Sequence, residues 1–307
     1  MVSFTPANDI PSLSGKVILV TGSNTGLGKQ SIIDLAWHNP SQIWLAARSL
    51  EKAQGAITDI KAQVPTATIH PLQLDLASLD SVKAAAKTFL NSATRLDILM
   101  LNAGIMATPP GTTKDGYEIQ FGTNHVGHAL LTKLLLPLLL QTAEGAGSDV
   151  RVVVLSSTVH AQAPESGIQF DTLKTRADAM ETWTRYGQSK LANILFGREL
   201  AKRYPQIKVV SVHPGIVNTN LSDSYMDSSI LRRSIRPFFM PLVRMVLTSV
   251  EDGVKNQLWA ATSKDIASGE YYEPVGKANK ASGYAKDEGL ARKLWDWTEE
   301  QFQEFNV

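Results

Sequence analysis

The strongest constraint in this chain is a repeated alternation of two kinds of segment. Short apolar runs recur, and a longer stretch with helical spacing follows most of them. Residues 16–21 (KVILVT), 42–47 (QIWLAA), 67–74, 97–101 (DILML), 150–155 (VRVVVL) and 207–212 read as strands. Residues 26–38, 49–63, 78–91, 122–141 and 185–204 read as helices, with Pro65 stopping the second and Ser78 placed to cap the third. Apolar strands without polar alternation suit a parallel sheet covered on both faces. The strand–helix order calls for right-handed crossovers. The expected fold class is therefore α/β: a doubly wound parallel sheet with helices on both faces, in one domain over residues 1–307. Two regions leave the alternation. Residues 222–249 are rich in Arg, Met, Phe and Pro, and 287–305 read as a helix carrying Trp295, Trp297 and Phe302.

Composition removes several classes of function. With 30 basic and 29 acidic residues the formal charge is +1, which predicts no nucleic-acid surface from bulk charge. There is no cysteine, which excludes disulfides, zinc–thiolate sites, iron–sulfur ligation and a cysteine nucleophile. That is compatible with a reducing compartment, and a cytoplasmic location is the expectation. The opening MVSFTPANDIPSLSGK is polar and lacks the apolar core of a secretory signal. No apolar run reaches the roughly 18–20 residues of a membrane span. The longest, around residues 130–140, is interrupted by Lys133 and Pro137.

Directly after the first strand stand Thr21, Gly22, Ser23, Asn24, Thr25, Gly26, Leu27 and Gly28, and a helix follows. Glycines permit a tight turn and let backbone approach a diphosphate, while the helix N-terminus offers unpaired N–H groups and a positive dipole end. The spacing is GxxxGxG. An NAD-selective fold commonly places an acidic residue about 20 positions after the glycines, on the ribose 2′-hydroxyl. Here that position is Arg48, with no carboxylate until Glu51. A guanidinium can clamp a 2′-phosphate, with the Ser49 hydroxyl as a second donor, so NADP is expected over NAD. Lys29, in the first helical turn, is a weaker candidate beside Arg48, since a first-turn lysine can simply face water.

Tyr186-Gly187-Gln188-Ser189-Lys190 carries the chemistry. Residues four apart share a helical face, so the phenol and the ammonium can address one site. A phenol titrates near pH 10, and a nearby cation lowers that value, which makes Tyr186 a candidate proton donor to a carbonyl. The fifth strand ends in Ser156-Ser157 and the fourth in Asn102-Ala103-Gly104, at the carboxyl ends where an open α/β sheet binds ligands. His125 and His128 lie three apart on one helix. With no HExxH and no third ligand in sequence, they read as packing residues, and no metal site is expected. His160 sits in a loop, where solvation is the plain reading, and His213 reads as structural. There is no GxSxG elbow, so the serines are not read as hydrolase nucleophiles.

Taken in order, TGSNTGLG, Asp75, Asn102-Ala103-Gly104, the Ser…YxxxK set and His213-Pro214-Gly215 resemble the short-chain dehydrogenase/reductase family, most closely its retinol-dehydrogenase-like branch. The likeness covers about residues 16–219 and implies a single Rossmann-type domain. It implies that Tyr186 is the general acid/base, and that Lys190 binds the nicotinamide ribose and lowers the tyrosine pKa. Ser157, with Ser156 as the alternative, would orient the carbonyl, and Asn124 would support a proton relay through water. Asp75 with Leu76 would lie at the adenine, and Asn102, Ala103 and Gly104 on the adenosine side. Pro214, Gly215, Val217 and Thr219 would line the nicotinamide carboxamide and phosphates. Homodimers or tetramers are also implied. Ser157 and Tyr186 stand 29 apart, wider than in the simplest members, so residues 161–185 are expected to form an excursion at the site mouth. The branch often carries an N-terminal membrane anchor that the opening here does not show, so a retinoid substrate is not carried over.

Residues 222–250 are expected to form a substrate lid, with Phe238, Phe239 and Met240 against an apolar substrate. The Arg and bulky apolar mix of residues 230–247 also suits a membrane surface, although Pro237 and Pro241 interrupt any long amphipathic helix. The function read from all this is NADP(H)-dependent interconversion of a carbonyl and an alcohol. A non-redox epimerase, dehydratase or cyclase, or an NADP-binding regulator, stands as the alternative.

Overall fold

The computed structural model describes residues 2–215, 217 and 248–303. Its sheet is built from β1 (Val17–Thr21), β2 (Gln42–Ala47), β3 (Ile69–Gln73), β4 (Ile98–Leu101), β5 (Arg151–Leu155), β6 (Lys208–Val212) and β7 (Tyr271–Tyr272). The order is β3-β2-β1-β4-β5-β6-β7 and every pairing is parallel. The chain winds outward from β1 to β3, then returns to place β4 on the other side of β1. That reversal makes the carboxyl ends of β1 and β4 the switch point, where a ligand crevice opens. The fold is thus a single α/β Rossmann-type domain, as the alternation requires.

Successive residues of a strand feed opposite faces. In β1, Val17 and Leu19 join one core, and Ile18 and Val20 the other. In β4, Leu99 and Leu101 take the first face, and Ile98 and Met100 the second. Each such side chain contributes about 1.5–3 kcal/mol on full burial, which is why these strands have no polar phase. The first core is covered by α4 (Leu79–Ser92), α6 (Gly127–Ala143), α7 (Thr182–Arg203) and α10 (Glu288–Gln301). The second is covered by α2 (Gly26–Ala36), α3 (Leu50–Gln63) and α9 (Lys255–Thr262). Three short helices, α1 (Pro6–Asp9), α5 (Ile119–Phe121) and α8 (Val250–Gly253), complete the set among the described residues.

Several local expectations change. β7 adds a strand that the sequence reading omits: it has two residues, too few for a periodic pattern. β3 buries only Ile69 and Leu72, one on each face, and contains Pro71, which is tolerated because β3 is the sheet edge. The side chain of Ser78 makes no cap bond, and Asp115 Oδ2 accepts the Leu79 N–H instead, at 2.9 Å. The helix expected over 122–141 begins at Ile119, passes through a π-turn over Gly122–Val126 and continues to Ala143 with Pro137 inside it. This stretch, Ile119–Ala143, is long and apolar enough to cross a membrane, but 67% of its apolar window is buried within the fold. It is the core helix of the first face. The lid residues 222–247, with Phe238, Phe239 and Met240, lie outside the described residues, as does Thr219.

Candidate active site

The glycine turn leaves β1 at Thr21. Gly22 has φ +62°, and a Cβ there would lie 2.8 Å from the Ala103 Cα. A Cβ on Gly28 would lie 2.6 Å from both the Gly22 carbonyl oxygen and Asn102 Nδ2. Both positions therefore demand glycine to bring α2 and the end of β4 against the turn. Asn102 completes the support: its amide donates to the Thr21 carbonyl at 2.8 Å and the Gly22 carbonyl at 3.3 Å, and its Oδ1 accepts from Gln257 at 3.3 Å. Ser23 is buried and its hydroxyl donates to the Val20 carbonyl, so it builds the turn from within. Asn24, Thr25, Gly26 and Leu27 reach the surface. Thr25 caps α2 without a side-chain bond, leaving first-turn N–H groups to meet an anion. These residues fit a dinucleotide diphosphate.

Arg48 follows β2 and is exposed, with no ion pair among the described residues. Ser49 caps α3 by accepting the Lys52 N–H at 3.2 Å, which leaves its own hydroxyl proton to give. Lys29, the weaker candidate, pairs with Asp59 at 2.6 Å. Asp75, two residues past β3, accepts the Ala77 N–H, and Leu76 is buried in the first core. Pro214 and Gly215 follow β6. A Cβ on Gly253 would lie 2.3 Å from Val217 Cγ2 and 3.2 Å from Leu27 Cδ2, so the chain after β6 reaches the first turn of α2.

The reactive groups gather at the carboxyl end of β5. Ser157 accepts the Val159 N–H at 3.2 Å, and its hydroxyl eases ionisation of the Tyr186 phenol. Ser156, the alternative, is committed elsewhere, donating to the Lys190 carbonyl at 2.8 Å. Lys190 Nζ stands 5.6 Å from the centre of the Tyr186 ring and donates to the Leu155 carbonyl at 3.1 Å. A Cβ on Gly104 would lie 3.3 Å from both Lys190 Nζ and Asn124 Oδ1, which places the end of β4 against this pair. The Asn124 amide is fully engaged: Oδ1 accepts the Ile105 N–H at 2.8 Å, and Nδ2 donates to the Ile105 carbonyl and Ser189 Oγ, both at 2.9 Å.

One electrostatic expectation is reversed. The phenol is not pulled down by Lys190; burial pushes Tyr186 up to about 12, and the neighbouring Ser157 hydroxyl only partly offsets this. The ammonium feels the same burial, which lowers Lys190 to about 8. His160 also departs from its expected solvation. It is buried, with Nδ1–H donated to the Ser157 carbonyl at 2.7 Å and Nε2 accepting the Ser282 N–H at 3.0 Å. His125 packs between the rings of Phe121 and Phe196 and bonds Thr298. Among the described residues no group of three His, Asp or Glu side chains is placed to hold a metal.

Sequence reading missed the residues that hold the site together. Ser189 bridges Asn124 to the Tyr186 carbonyl, and Asn193 shares the Leu155 carbonyl with Lys190. Asn256 donates to the His213 and Tyr272 carbonyls, tying α9 to the ends of β6 and β7. Only Ser189 carries a sequence signal, by lying inside YxxxK.

The short chain dehydrogenase family profile matches residues 16–229. A short-chain dehydrogenase/reductase of Aspergillus calidoustus, drtF, is 40% identical over 303 residues, covering 96% of each chain. Human retinol dehydrogenase 13 is 37% identical over 290 residues, covering 92% of this chain and 83% of that protein. The crystal structure of an uncharacterized protein from Mycobacterium paratuberculosis superposes with a TM-score of 0.74 at 30% identity, covering 97% of both chains. The chain therefore belongs to the short-chain dehydrogenase/reductase family of oxidoreductases, and within it is similar to retinol dehydrogenases.

Proposed function

We propose that this protein interconverts a carbonyl and an alcohol with NADP(H), using Tyr186 as general acid/base. The observation that carries the reading is the buried Tyr186 ring with Lys190 Nζ 5.6 Å from its centre and Nζ donating to the Leu155 carbonyl at the carboxyl end of β5, where Ser157 follows. A bound nicotinamide would supply the hydride. Residues 22–28 would hold its diphosphate and Arg48 with Ser49 its 2′-phosphate; Asp75, Leu76 and Asn102 to Gly104 would lie toward the adenosine. Pro214, Gly215, Val217 and Thr219 would take the nicotinamide end.

In reduction, Ser157 and Tyr186 donate hydrogen bonds to the carbonyl oxygen. As the carbonyl carbon gains hydride, Tyr186 gives its proton to the oxygen and an alcohol results. A phenol held protonated by burial is the correct form for this direction. Lys190, with a pKa near working pH and Asn124 behind it, returns the proton to the phenolate and takes its own back from water. Trp183 lies edge-on to the Tyr186 ring at 6.1 Å and is partly exposed, giving the substrate side an apolar wall. An apolar aldehyde or ketone is the substrate class this supports.

A panel of aldehydes and ketones with NADPH, followed by absorbance, tests the reading. Consumption of one NADPH per alcohol formed is expected. Product without net NADPH consumption would instead indicate an epimerase- or dehydratase-like use of the cofactor.

A further inference from the structure

The helix that carries Asn124 also carries His128, a buried imidazole that the chemistry above does not use. Both of its ring nitrogens reach groups at the site. Nδ1 lies 3.0 Å from the Asn124 carbonyl oxygen, and Nε2 lies 2.9 Å from Thr21 Oγ1. A carbonyl only accepts, so Nδ1 carries the hydrogen and Nε2 the lone pair. The Thr21 hydroxyl then donates to Nε2, while its oxygen accepts the Ala103 N–H at 3.0 Å. The bonds run in one direction, from Ala103 through Thr21 and the imidazole to Asn124.

The two ends of this chain are the two halves of the proposed site. Thr21 precedes Gly22, and Ala103 is the residue that Gly22 packs against. Asn124 clamps Ile105 and Ser189 beside Gly104 and Lys190. The links are shut off from water, with Thr21 and Asn124 0% exposed and His128 2%. Burial lowers His128 to about 4, so the ring is neutral at working pH and keeps this one tautomer. A fully satisfied buried polar network fixes geometry in a way that an apolar side chain of the same volume does not.

We infer that His128 is a positioning residue that couples the glycine turn to the Asn124–Lys190 pair. Its Thr21 bond sets the turn, and its Asn124 bond sets the carbonyl of the π-turn. The inference rests on the redox reading above for its catalytic half; its cofactor half stands on binding alone.

Three variants of the full chain separate the two bonds. H128N keeps an amide donor near the Nδ1 position and loses the reach to Thr21. H128Q places its amide oxygen near the Nε2 position and loses the Nδ1 donor. H128F removes both. The readouts are the Kd for NADPH by fluorescence titration, and kcat and KM on the best carbonyl. H128F is expected to weaken NADPH binding and lower kcat by about 10-fold each, the scale of one buried hydrogen bond. H128N should recover kcat more than Kd, and H128Q should recover Kd more than kcat. A folded H128F with both values within about twofold of the parent overturns the inference, as do H128N and H128Q moving both values together. If no His128 variant folds, T21V and T21S decide. T21V should weaken NADPH binding and T21S restore it, and an unchanged Kd in T21V overturns the inference. If the parent reduces no carbonyl but H128F still weakens NADPH binding, the redox reading fails and the coupling to the turn stands.

Discussion

Ser156 and Ser157 are neighbours with the same side chain, and the fold gives them opposite tasks. The chain leaves β5 so that one hydroxyl donates to the Lys190 carbonyl and the next accepts the Val159 N–H and influences the Tyr186 phenol. Residue type and spacing alone do not separate them, because the difference lies in the direction of the strand exit; only the family resemblance favours Ser157. Ser189, Asn193 and Asn256 are hidden for a related reason: their partners include main-chain carbonyls, which every residue possesses. Glycine and charged positions are more legible. Gly22 and Gly28 are dictated by contacts under 3 Å, and Arg48 by the absence of a carboxylate at a fixed count from the turn. Replacing Arg48 by Asp should shift the NADP/NAD ratio of kcat/KM toward NAD by about 10- to 100-fold, the worth of one charge-assisted phosphate contact. Kinetics with both cofactors checks this, and an unchanged ratio removes Arg48 as the phosphate clamp.

At the scale of elements, the start of α7 is held by a buried ion pair. Arg185 and Glu118 are each 1% exposed and bond at 2.9 Å. Glu118 also caps α5 by accepting the Phe121 N–H, and Arg185 donates to the Thr108 and Met180 carbonyls. The pair thereby ties the loop after β4 to the helix whose next residue is Tyr186. R185M should leave Glu118 buried without its partner and cost about 3–5 kcal/mol, read as a fall in the urea midpoint. A loss below about 1 kcal/mol would mean that the pair is incidental. The excursion between Ser157 and Tyr186 is anchored on the same elements: the Leu173 carbonyl accepts the Glu118 N–H, and Gln188 accepts the Gln169 N–H. The π-turn around Asn124 is not legible, since GTNHV has the same spacing as ordinary helix. Pro137 inside α6 shows the converse, a breaker overridden by burial on the first core.

The whole molecule was the most legible level, because a parallel sheet with two covered faces leaves apolar runs that no other arrangement needs. Five of its seven strands stand in the sequence as such runs, and edge β3, with Pro71 and two exposed positions, is read from its place in the alternation; β7 is two residues long and takes its place from pairing with β6. Burial across the molecule also sets its response to acid. His125 and His128 are held neutral, lowered to about 3 and about 4 by burial. Below pH 6.5 the unfolded chain takes up protons that the fold refuses. Stability is therefore complete above pH 6.5 and falls as pH drops toward 4, by about 1.4 kcal/mol per pH unit for each group. Asp34, raised to about 6 by burial, acts oppositely between pH 3.8 and 6, but it stands against five histidines, since burial also lowers His38, His160 and His213. Tm measured from pH 7 to pH 4 should fall steadily, and a flat profile would contradict the buried, neutral histidines.

The central claim is that the Tyr186 phenol is the proton donor beside a bound nicotinamide. Y186F measured for both turnover and NADPH binding tests it most directly. Turnover should fall by about 10²- to 10⁴-fold with the Kd for NADPH nearly unchanged. A Y186F enzyme that still reduces its carbonyl at close to the parent rate would contradict the account.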